Sequence, residues 1–257
     1  MKTIILAGGY GTRIRDVADD IPKPMIPIGP YPILWHVMKI YEFYNQKDFI
    51  LCLGYKGDVI KNFFLNLNSY TRDFTLDLSK PNAINFHNNS AYDWKVTLAD
   101  TGLSSMTGTR IKKIKKYIKD DIFLLTYGDG VSDINIDKLI DFHKSHGKTL
   151  TVTGVHPPGR FGQIIADSND LVTEFNEKPQ SESGLISGGF FAANVSLFDY
   201  LDDSENLVFE EGPMRQLVKD KELMIYKHDG FWLPMDTSRE YQMLDSIYKS
   251  GNIPWLK

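Results

Sequence analysis

The chain has 257 residues, 24% of them charged, and a formal net charge of −4 at pH 7. This acidic balance argues against a nucleic-acid or membrane-surface partner, and the length suits one α/β domain of ordinary size. The single cysteine, Cys52, excludes an internal disulfide and favours a reducing compartment. Met1 leads straight into a strand pattern, and no apolar run reaches the about 18 residues that span a bilayer. We therefore expect a cytoplasmic protein.

Short apolar runs alternate with helical patterns through the first half of the chain. Strands are predicted at "KTIILA", "DFILCLG", "DIFLLTYGDG" and "TLTVTGV", because each is a short and nearly continuous apolar run. Helices are predicted between them at "ILWHVMKIYEFY", "DVIKNFFLNL" and "INIDKLIDFHKSHG", where apolar residues recur at helical spacing. The alternation predicts an α/β fold with a mostly parallel central sheet and helices on both faces.

The second half of the chain is less regular. The segment "HPPGRFGQIIADSNDLVTEFNEKP" predicts an inserted strand pair with Gly and Pro turns. "GLISGGFFAANVSLFDYL" predicts a strand that runs into a short helix, and "SREYQMLDSIYKSG" predicts a final amphipathic helix. The basic run "KKIKK" before them, residues 112–116, predicts the solvated face of a helix. Because no linker or repeat interrupts the chain, one domain over residues 1–257 is expected.

A glycine-rich segment, "AGGYGTR", follows the first predicted strand directly. Open parallel sheets bind ligands beyond the carboxyl ends of their strands, which is where this segment lies. Its three glycines would let backbone N–H groups approach an anion, and Arg13 and Lys23 add positive charge. The spacing matches neither a Walker loop nor a dinucleotide fingerprint, which disfavours an NAD-dependent enzyme. We predict a site for a nucleoside triphosphate, with a tight connection that binds nothing as the alternative.

Three further charged residues suit the handling of phosphates. Asp129 lies between two glycines at the end of a predicted strand, where a carboxylate could hold Mg²⁺, or where it is simply a turn residue. Asp236 precedes the last helix, so a helix N-cap or a residue near one is its alternative. Lys178 before a proline could hold another phosphate, or be an ordinary exposed lysine. Together with the glycine loop they predict phosphoryl chemistry with a metal clamp, and the six scattered histidines are interpreted as structural.

These motifs together resemble a known family, the sugar-phosphate nucleotidyltransferases. The resemblance includes "ILAGGYGTR", "PKPM", "GDG", "NEKP" and "MDT", and the blocks "DTGLSSMTG" and "HPPGRFG" resemble more narrowly the members of that family that use CTP. It covers nearly the whole chain. It implies a Rossmann-like nucleotidyltransferase fold, with a nucleotide-binding part roughly over residues 1–130 and a sugar-phosphate-binding and assembly part roughly over residues 131–257.

The resemblance also implies an activity. A cytidylyl group would pass from CTP to α-D-glucose 1-phosphate, giving CDP-glucose and pyrophosphate with Mg²⁺ as cofactor. The product would supply CDP-deoxysugars for surface polysaccharide such as O-antigen, and the enzyme would be a homohexamer. The family usually has Asn-Gly-Gly where this chain has Ser187-Gly188-Gly189, so another sugar 1-phosphate, or UTP or dTTP as donor, stays open. A binding protein without catalysis on the same fold is the alternative of another class.

Carried onto matching positions, the resemblance implies a site in three parts. The nucleotide would contact Leu6, Ala7, Gly8, Gly9, Tyr10, Gly11, Thr12, Arg13, Lys23, Ser105, Arg110 and Gly128. The sugar phosphate would contact Glu177, Lys178, Gly188 and Gly189. The metal would bind Asp129 and Asp236, and the catalytic set would be Arg13, Lys23, Asp129, Lys178 and Asp236. Arg110 is also our candidate for selecting cytosine, because cytosine and uracil present opposite donors and acceptors at N3 and at position 4.

Overall fold

The structure is a computed structural model that describes residues 1–14, 17, 20–80, 83–87, 92–157, 163–166, 172–176 and 184–256, with only the backbone given at Arg13 and in residues 163–166 and 172–176. Within these residues the helices are α1 (Ile33–Phe43), α2 (Gly57–Thr71), α3 (Thr107–Lys113), α4 (Ile136–His146), α5 (Gly212–Lys219) and α6 (Ser238–Ser250). Short 3₁₀ helices cover Thr12–Ile14, Lys23–Met25, Lys115–Tyr117 and Val195–Tyr200.

The strands of the described residues, in chain order, are β1 (Lys2–Leu6), β2 (Pro27–Ile28), β3 (Tyr31–Pro32), β4 (Asp48–Leu53), β5 (Phe74–Asp77), β6 (Ala83–Phe86), β7 (Lys95–Asp100), β8 (Ile122–Tyr127), β9 (Gly130–Ser132), β10 (Leu150–Val155), β11 (Gln163–Ala166), β12 (Val172–Asn176), β13 (Ile186–Asn194), β14 (Leu223–His228) and β15 (Trp232–Pro234).

Seven of these strands form the central sheet, in the order β14-β10-β13-β8-β1-β4-β7. Six of them run parallel to one another, and β13 is antiparallel to both of its neighbours. The predicted mostly parallel sheet is therefore confirmed. The predicted inserted hairpin is also present, because β11 pairs with β12 in antiparallel fashion. A second hairpin, β5–β6, follows α2 and was not predicted from the sequence.

The sheet is buried on both faces, which explains the continuous apolar runs of its central strands. Successive residues of β1 belong to different hydrophobic clusters: Ile5 packs in one, and Ile4 and Leu6 pack in the other. Helices α1, α2, α4 and α6 contribute buried residues to the first cluster, and α3 and α5 contribute to the second. Among the described residues, every helix is too short or too polar to cross a lipid bilayer.

Helix ends follow local sequence signals. The side chain of Asn135 accepts a hydrogen bond from the Lys138 amide at the start of α4, and Gly147 ends that helix with φ +64. The basic run 112–116 differs from its prediction, because α3 ends at Lys113 and buried Ile114 separates it from a 3₁₀ turn. Its lysines are only partly a solvated face, since Lys112 Nζ donates to the Leu201 carbonyl at 2.6 Å.

Candidate active site

A pocket of about 400 Å³ opens at the carboxyl ends of β1 and β8. Its position follows from the parallel pairing of these two strands, which continues as Gly128 N donates to the Leu6 carbonyl at 3.1 Å. Most of the predicted site residues line this pocket. They are Leu6, Ala7, Gly8, Gly9, Tyr10, Gly11, Thr12, Lys23, Ser105, Arg110, Gly128, Asp129 and Asp236.

Three charged side chains converge on one point of the pocket wall. Lys23 Nζ lies 2.5 Å from Asp129 Oδ2 and 2.5 Å from Asp236 Oδ1. The two aspartates are far apart in the chain, and the antiparallel pairing of β9 with β15 brings them together, since Pro234 faces Gly130 and Met235 N donates to the Asp129 carbonyl at 2.8 Å. We name Lys23, Asp129 and Asp236 the charged cluster.

The ammonium of Lys23 is nearly enclosed, with 11% of its side chain exposed. Burial lowers the pKa of Lys23, but the charges and hydrogen bonds of Asp129 and Asp236 raise it more, so its pKa lies above the ordinary value. Lys23 is therefore a fixed cation. Two carboxylate oxygens that meet at one cation also suit Mg²⁺, which binds proteins through one or two carboxylates and completes its shell with phosphates and water. Among the described residues no group of three or more His, Cys, Asp or Glu side chains could hold a metal.

The alternative interpretation of Asp236, as a helix N-cap or a residue near one, holds in its second form, because Asp236 directly precedes the N-cap of α6. Thr237 caps α6, and its side chain and Glu240 form a reciprocal capping box. The Glu240 carboxylate also accepts from the Asp236 amide at 2.7 Å. This arrangement fixes the backbone of Asp236 while its carboxylate is directed to Lys23.

The three glycines of the first loop are explained by different physical constraints. A Cβ at Gly8 would lie 2.4 Å from Arg110 Nη1 and 2.8 Å from Gly54 N, so this glycine is required by the protein's own packing. Gly11 has φ +60, a conformation that side chains rarely adopt. A Cβ at Gly9 would meet nothing within 4 Å. Of the three glycines expected to approach an anion, Gly9 is therefore the one that faces open space.

Arg110 is held beneath this loop, with 4% of its surface exposed. Its guanidinium donates to five oxygens of the chain: Nη1 to Leu53 O at 3.0 Å, Thr101 Oγ1 at 2.8 Å and Gly102 O at 2.8 Å, and Nη2 to Gly8 O at 2.9 Å and Leu103 O at 3.3 Å. The four terminal N–H groups are thus engaged by the protein. Base selection by Arg110 stays a prediction, and the contacts add a second role as a support for the loop.

Ser105 is similarly engaged. Its hydroxyl lies 2.6 Å from the Thr101 carbonyl and 2.9 Å from Glu205 Oε2, and Lys113 Nζ donates to it at 3.0 Å. These contacts join the pocket segment 103–107 to the segment that precedes α5.

Comparison with known proteins identifies the family. The family model described as "Nucleotidyl transferase" matches residues 2–241. The chain belongs to the nucleotidyl transferase family. The glucose-1-phosphate cytidylyltransferase of Salmonella typhi is 46% identical over 99% of this chain and 98% of its own length. The probable glucose-1-phosphate cytidylyltransferase of Bacillus subtilis (strain 168) is 42% identical over 99% of each chain. The narrower resemblance to the members of the family that use CTP is thereby confirmed.

The fold of this nucleotidyl transferase is also found in solved structures. The crystal structure of HddC from Yersinia pseudotuberculosis superimposes with a TM-score of 0.67 over 96% of this chain and 99% of that chain, at 24% sequence identity. The predicted Rossmann-like nucleotidyltransferase fold is confirmed by this likeness and by the sheet described above.

The residues of this nucleotidyl transferase that are predicted to contact a sugar phosphate are only partly described. Glu177, Lys178 and the side chain of Arg13 lie outside the described residues. Gly188 and Gly189 lie on β13, beside the pocket and not among the residues that line it. The Gly188 carbonyl accepts from Trp232 Nε1 at 2.7 Å, which ties this strand to the β9–β15 pair beneath the charged cluster.

Sequence reasoning missed several residues that line the pocket. They are Ile14, Pro24, Leu103, Ser104, Met106, Thr107 and Tyr127. Tyr127 precedes Gly128 and Asp129 directly, so a search one residue upstream of "GDG" would have found it. Burial raises the pKa of Tyr127, and the nearby charge of Glu210 and a hydrogen bond to it raise that pKa further. The remaining residues are small, apolar or neutral, and their sequence carries no signal that distinguishes them from packing residues.

Proposed function

We propose that this nucleotidyl transferase moves the cytidylyl group of CTP to α-D-glucose 1-phosphate, releasing pyrophosphate and forming CDP-glucose. The observation that carries the chemistry is the convergence of the Lys23 ammonium with the carboxylates of Asp129 and Asp236 at one wall of the pocket. The choice of CTP and glucose 1-phosphate is supported by the relative from Salmonella typhi, which is 46% identical over 99% of this chain.

The reaction requires the protein to bind and align two anionic substrates, and it requires no general base. The second pKa of a phosphate monoester is about 6, so the attacking oxygen of the sugar phosphate is already negative at pH 7 and needs no general base. The difficulty lies in bringing two polyanions together. Lys23 supplies a fixed positive charge, and the loop at Gly9 offers backbone N–H groups to the triphosphate. These groups would align the attacking oxygen with the α-phosphorus.

Asp129 and Asp236 would hold Mg²⁺, because their carboxylates lie close together on either side of the Lys23 ammonium and carboxylate oxygens are ligands that Mg²⁺ binds. When bound, Mg²⁺ supplies charge stabilisation for the phosphate oxygens. Arg13 would stabilise the negative charge that grows on the leaving pyrophosphate. Lys178 would position the attacking sugar phosphate, with Glu177, Gly188 and Gly189 beside it. These assignments rest on the family resemblance.

Product analysis tests the proposal. Purified protein is incubated with CTP, glucose 1-phosphate and Mg²⁺, and the phosphorus-containing products are identified by ³¹P NMR. We expect CDP-glucose and pyrophosphate in equal amounts. Asp129→Asn should stay folded and lose at least about 100-fold in turnover, since it removes one charged oxygen from the cluster. The matched control is Asp137→Asn, an exposed aspartate in the first turn of α4, which should act like wild type.

The absence of product from CTP and glucose 1-phosphate would contradict the proposal. Other hexose 1-phosphates are then tested with the same protein, because Ser187 stands where the family usually has Asn. Pyrophosphate release with one of them would keep the chemistry and change the sugar. No release with any sugar phosphate or nucleotide would favour the binding protein without catalysis.

We also propose a homohexamer that works in the cytoplasm and supplies CDP-deoxysugars for surface polysaccharide. The β5–β6 hairpin is the candidate contact between copies, because Phe74, Leu76 and Ile84 expose 40%, 49% and 49% of their surface. Light scattering coupled to size-exclusion chromatography tests the homohexamer, and Leu76→Asp should lower the measured mass.

The cytoplasmic location is supported by Cys52, a buried free thiol whose pKa burial raises to about 12. A lone thiol needs no oxidising compartment.

A further inference from the structure

Glu210 connects two walls of the pocket through its carboxylate. The Tyr127 hydroxyl donates a hydrogen bond to Glu210 Oε1, and Thr107 Oγ1 donates to Glu210 Oε2 at 2.7 Å. Tyr127 ends β8 just before Asp129, and Thr107 begins α3. Both side chains belong to residues that line the pocket. A single side chain therefore spans the wall that carries the charged cluster and the wall on the nucleotide side.

Tyr127 also contacts the strand on the sugar-phosphate side. Gly189 has φ +78, and a Cβ placed there would lie 2.5 Å from Tyr127 Cδ2. The aromatic ring thus fills the space that a side chain at position 189 would need. Any rotation of the ring would change its contact with Gly189 on one side and the backbone leading to Asp129 on the other.

The two donors depend on Glu210 to different degrees. Thr107 is held by other contacts, because its hydroxyl accepts from Phe209 N at 2.9 Å and the next amide, Gly108 N, donates to the Leu207 carbonyl at 2.8 Å. Among the described residues, Glu210 is the hydrogen-bond partner of the Tyr127 hydroxyl. Removal of the carboxylate would free the Tyr127 hydroxyl, so that the ring is held by its packing against Phe191 and Gly189, and would leave Thr107 in place.

The charge of Glu210 does not itself attract the proposed substrates. A carboxylate at the edge of a pocket repels phosphate groups, so its contribution must come from the two hydrogen bonds that it accepts. A positioning role of Glu210, through its hydrogen bonds, can therefore be distinguished from an electrostatic role, through its charge. A glutamine at this position would remove the negative charge and keep an oxygen that can accept from Tyr127.

We propose that Glu210 is a positioning residue that orients Tyr127 for binding and reaction of the sugar phosphate. The proposal rests on the proposed function, since it concerns the second substrate of that reaction. With Glu210 removed, the Tyr127 ring no longer fixes the spacing between Gly189 and Asp129. The attacking phosphate is then less well aligned, while the nucleotide side keeps its contacts.

Steady-state kinetics and nucleotide binding test the proposal in Glu210→Ala, Glu210→Gln and Tyr127→Phe. The neighbouring exposed Glu211→Ala is the matched control. We expect Glu210→Ala and Tyr127→Phe each to lower kcat/KM for the sugar 1-phosphate by about 10-fold, mainly through KM, because the position in which the sugar phosphate binds is no longer fixed. The Kd for CTP, measured by calorimetry, should change by less than about two-fold. Glu210→Gln should restore most of the loss, and the double variant Glu210→Ala/Tyr127→Phe should be no worse than either single variant.

Hydrogen exchange provides a readout that does not depend on turnover. Amides near Gly128 and Gly189 should exchange faster in Glu210→Ala than in wild type or Glu211→Ala. If wild type turns over no nucleotide and sugar phosphate pair, the proposed function fails and this comparison still decides whether Glu210 orients Tyr127. The inference is overturned if Glu210→Ala matches Glu211→Ala in both measurements. It is also overturned if the Kd for CTP rises as much as the KM for the sugar phosphate, or if Glu210→Gln is as impaired as Glu210→Ala.

Discussion

The two ends of the pocket are built on opposite principles. At the Arg110 end, a buried guanidinium meets neutral oxygens of the protein itself, among them the Gly8 and Gly102 carbonyls. At the other end, Lys23 meets the negative charges of Asp129 and Asp236. The first arrangement satisfies its donors before any substrate arrives. The second gathers charge at a position where phosphates and a metal can share it.

A residue can therefore belong to a family motif and line the pocket, and yet act mainly to stabilise the fold. Substitutions at the Arg110 end should therefore lower the free energy of unfolding. Substitutions in the charged cluster should lower turnover far more than they lower the free energy of unfolding, because the two aspartates are about one-third exposed to solvent.

Lys23→Met should give the largest effect on catalysis. We expect kcat to fall by about 1000-fold, because the variant removes a fixed positive charge from the site where two polyanions must meet. The matched control is Lys2→Met. Lys2 also binds a carboxylate, Asp48 Oδ2 at 2.8 Å, but lies at the opposite end of β1. Steady-state kinetics should find the control within about two-fold of wild type, which corresponds to less than 0.5 kcal/mol. Equal losses in both variants would remove the distinction between the two ends.

Arg110→Met should have the largest effect on stability. It leaves several buried oxygens without a donor, at about 1–3 kcal/mol for each group. We expect the free energy of unfolding, measured in urea, to fall by about 4 kcal/mol. If the free energy of unfolding is unchanged and the preference for CTP over UTP is lost, Arg110 selects the base, and its assignment as a support for the loop is wrong. An unchanged preference in the folded fraction would contradict base selection by Arg110.

Gly8→Ala and Gly9→Ala should have different effects although both residues lie in the same loop. The Gly8 variant would force its Cβ against Arg110 and the Gly54 amide, and overpacking of this kind costs about 3 kcal/mol. The Gly9 variant meets no atom of the protein within 4 Å, so its unfolding free energy should change by less than about 0.5 kcal/mol. The KM of the Gly9 variant for the nucleotide should rise, because the added methyl group lies where the backbone N–H groups of the loop are proposed to contact the triphosphate. A large loss of stability in Gly9→Ala would contradict the position of this glycine.

The pH dependence of stability should show the smallest of these effects, at a residue that does not line the pocket. His36 is fully buried, with Nε2 at 2.9 Å from the Ile28 carbonyl, and Nδ1 accepts from Trp255 Nε1 at 3.2 Å. Burial lowers the pKa of His36 from 6.5 to about 4, although its hydrogen bonds to backbone oppose this shift. The neutral form is thus favoured in the folded state.

This contribution is complete above the unfolded-state pKa of about 6.5 and is lost as the pH falls below it. Between pH 7 and pH 5 we expect the free energy of unfolding to fall by about 2 kcal/mol on account of this residue. Urea titrations at the two pH values, compared with the same titrations of His36→Gln, isolate the contribution. Equal pH dependence in both proteins would show that His36 is not the responsible group.

Much of the fold was predictable because its signals are local. Continuous apolar runs identified β1, β4, β8 and β10, and Gly147 marked the end of α4. Strands β7 and β14 were missed because they lie at the two edges of the sheet, where exposed polar residues such as Lys95 and Lys227 interrupt the apolar pattern.

The charged cluster was also predictable by residue type, because carboxylates and lysines beside glycines or prolines at strand ends are distinctive. Its assembly was not, since the β9–β15 pairing joins distant segments through strands of only three residues. The role of Gly8 as a packing residue could not be read from the sequence either, because it depends on Arg110 reaching the loop from α3.

The most direct test of the account is the nucleotide preference of the wild-type protein. Pyrophosphate release is measured with glucose 1-phosphate and Mg²⁺, and with CTP, UTP, dTTP or ATP supplied separately at equal concentration. We expect kcat/KM for CTP to exceed that for every other nucleotide by at least about 100-fold, because a mismatched base leaves buried polar groups unpaired. Comparable release from UTP or dTTP, or none from CTP, would contradict it.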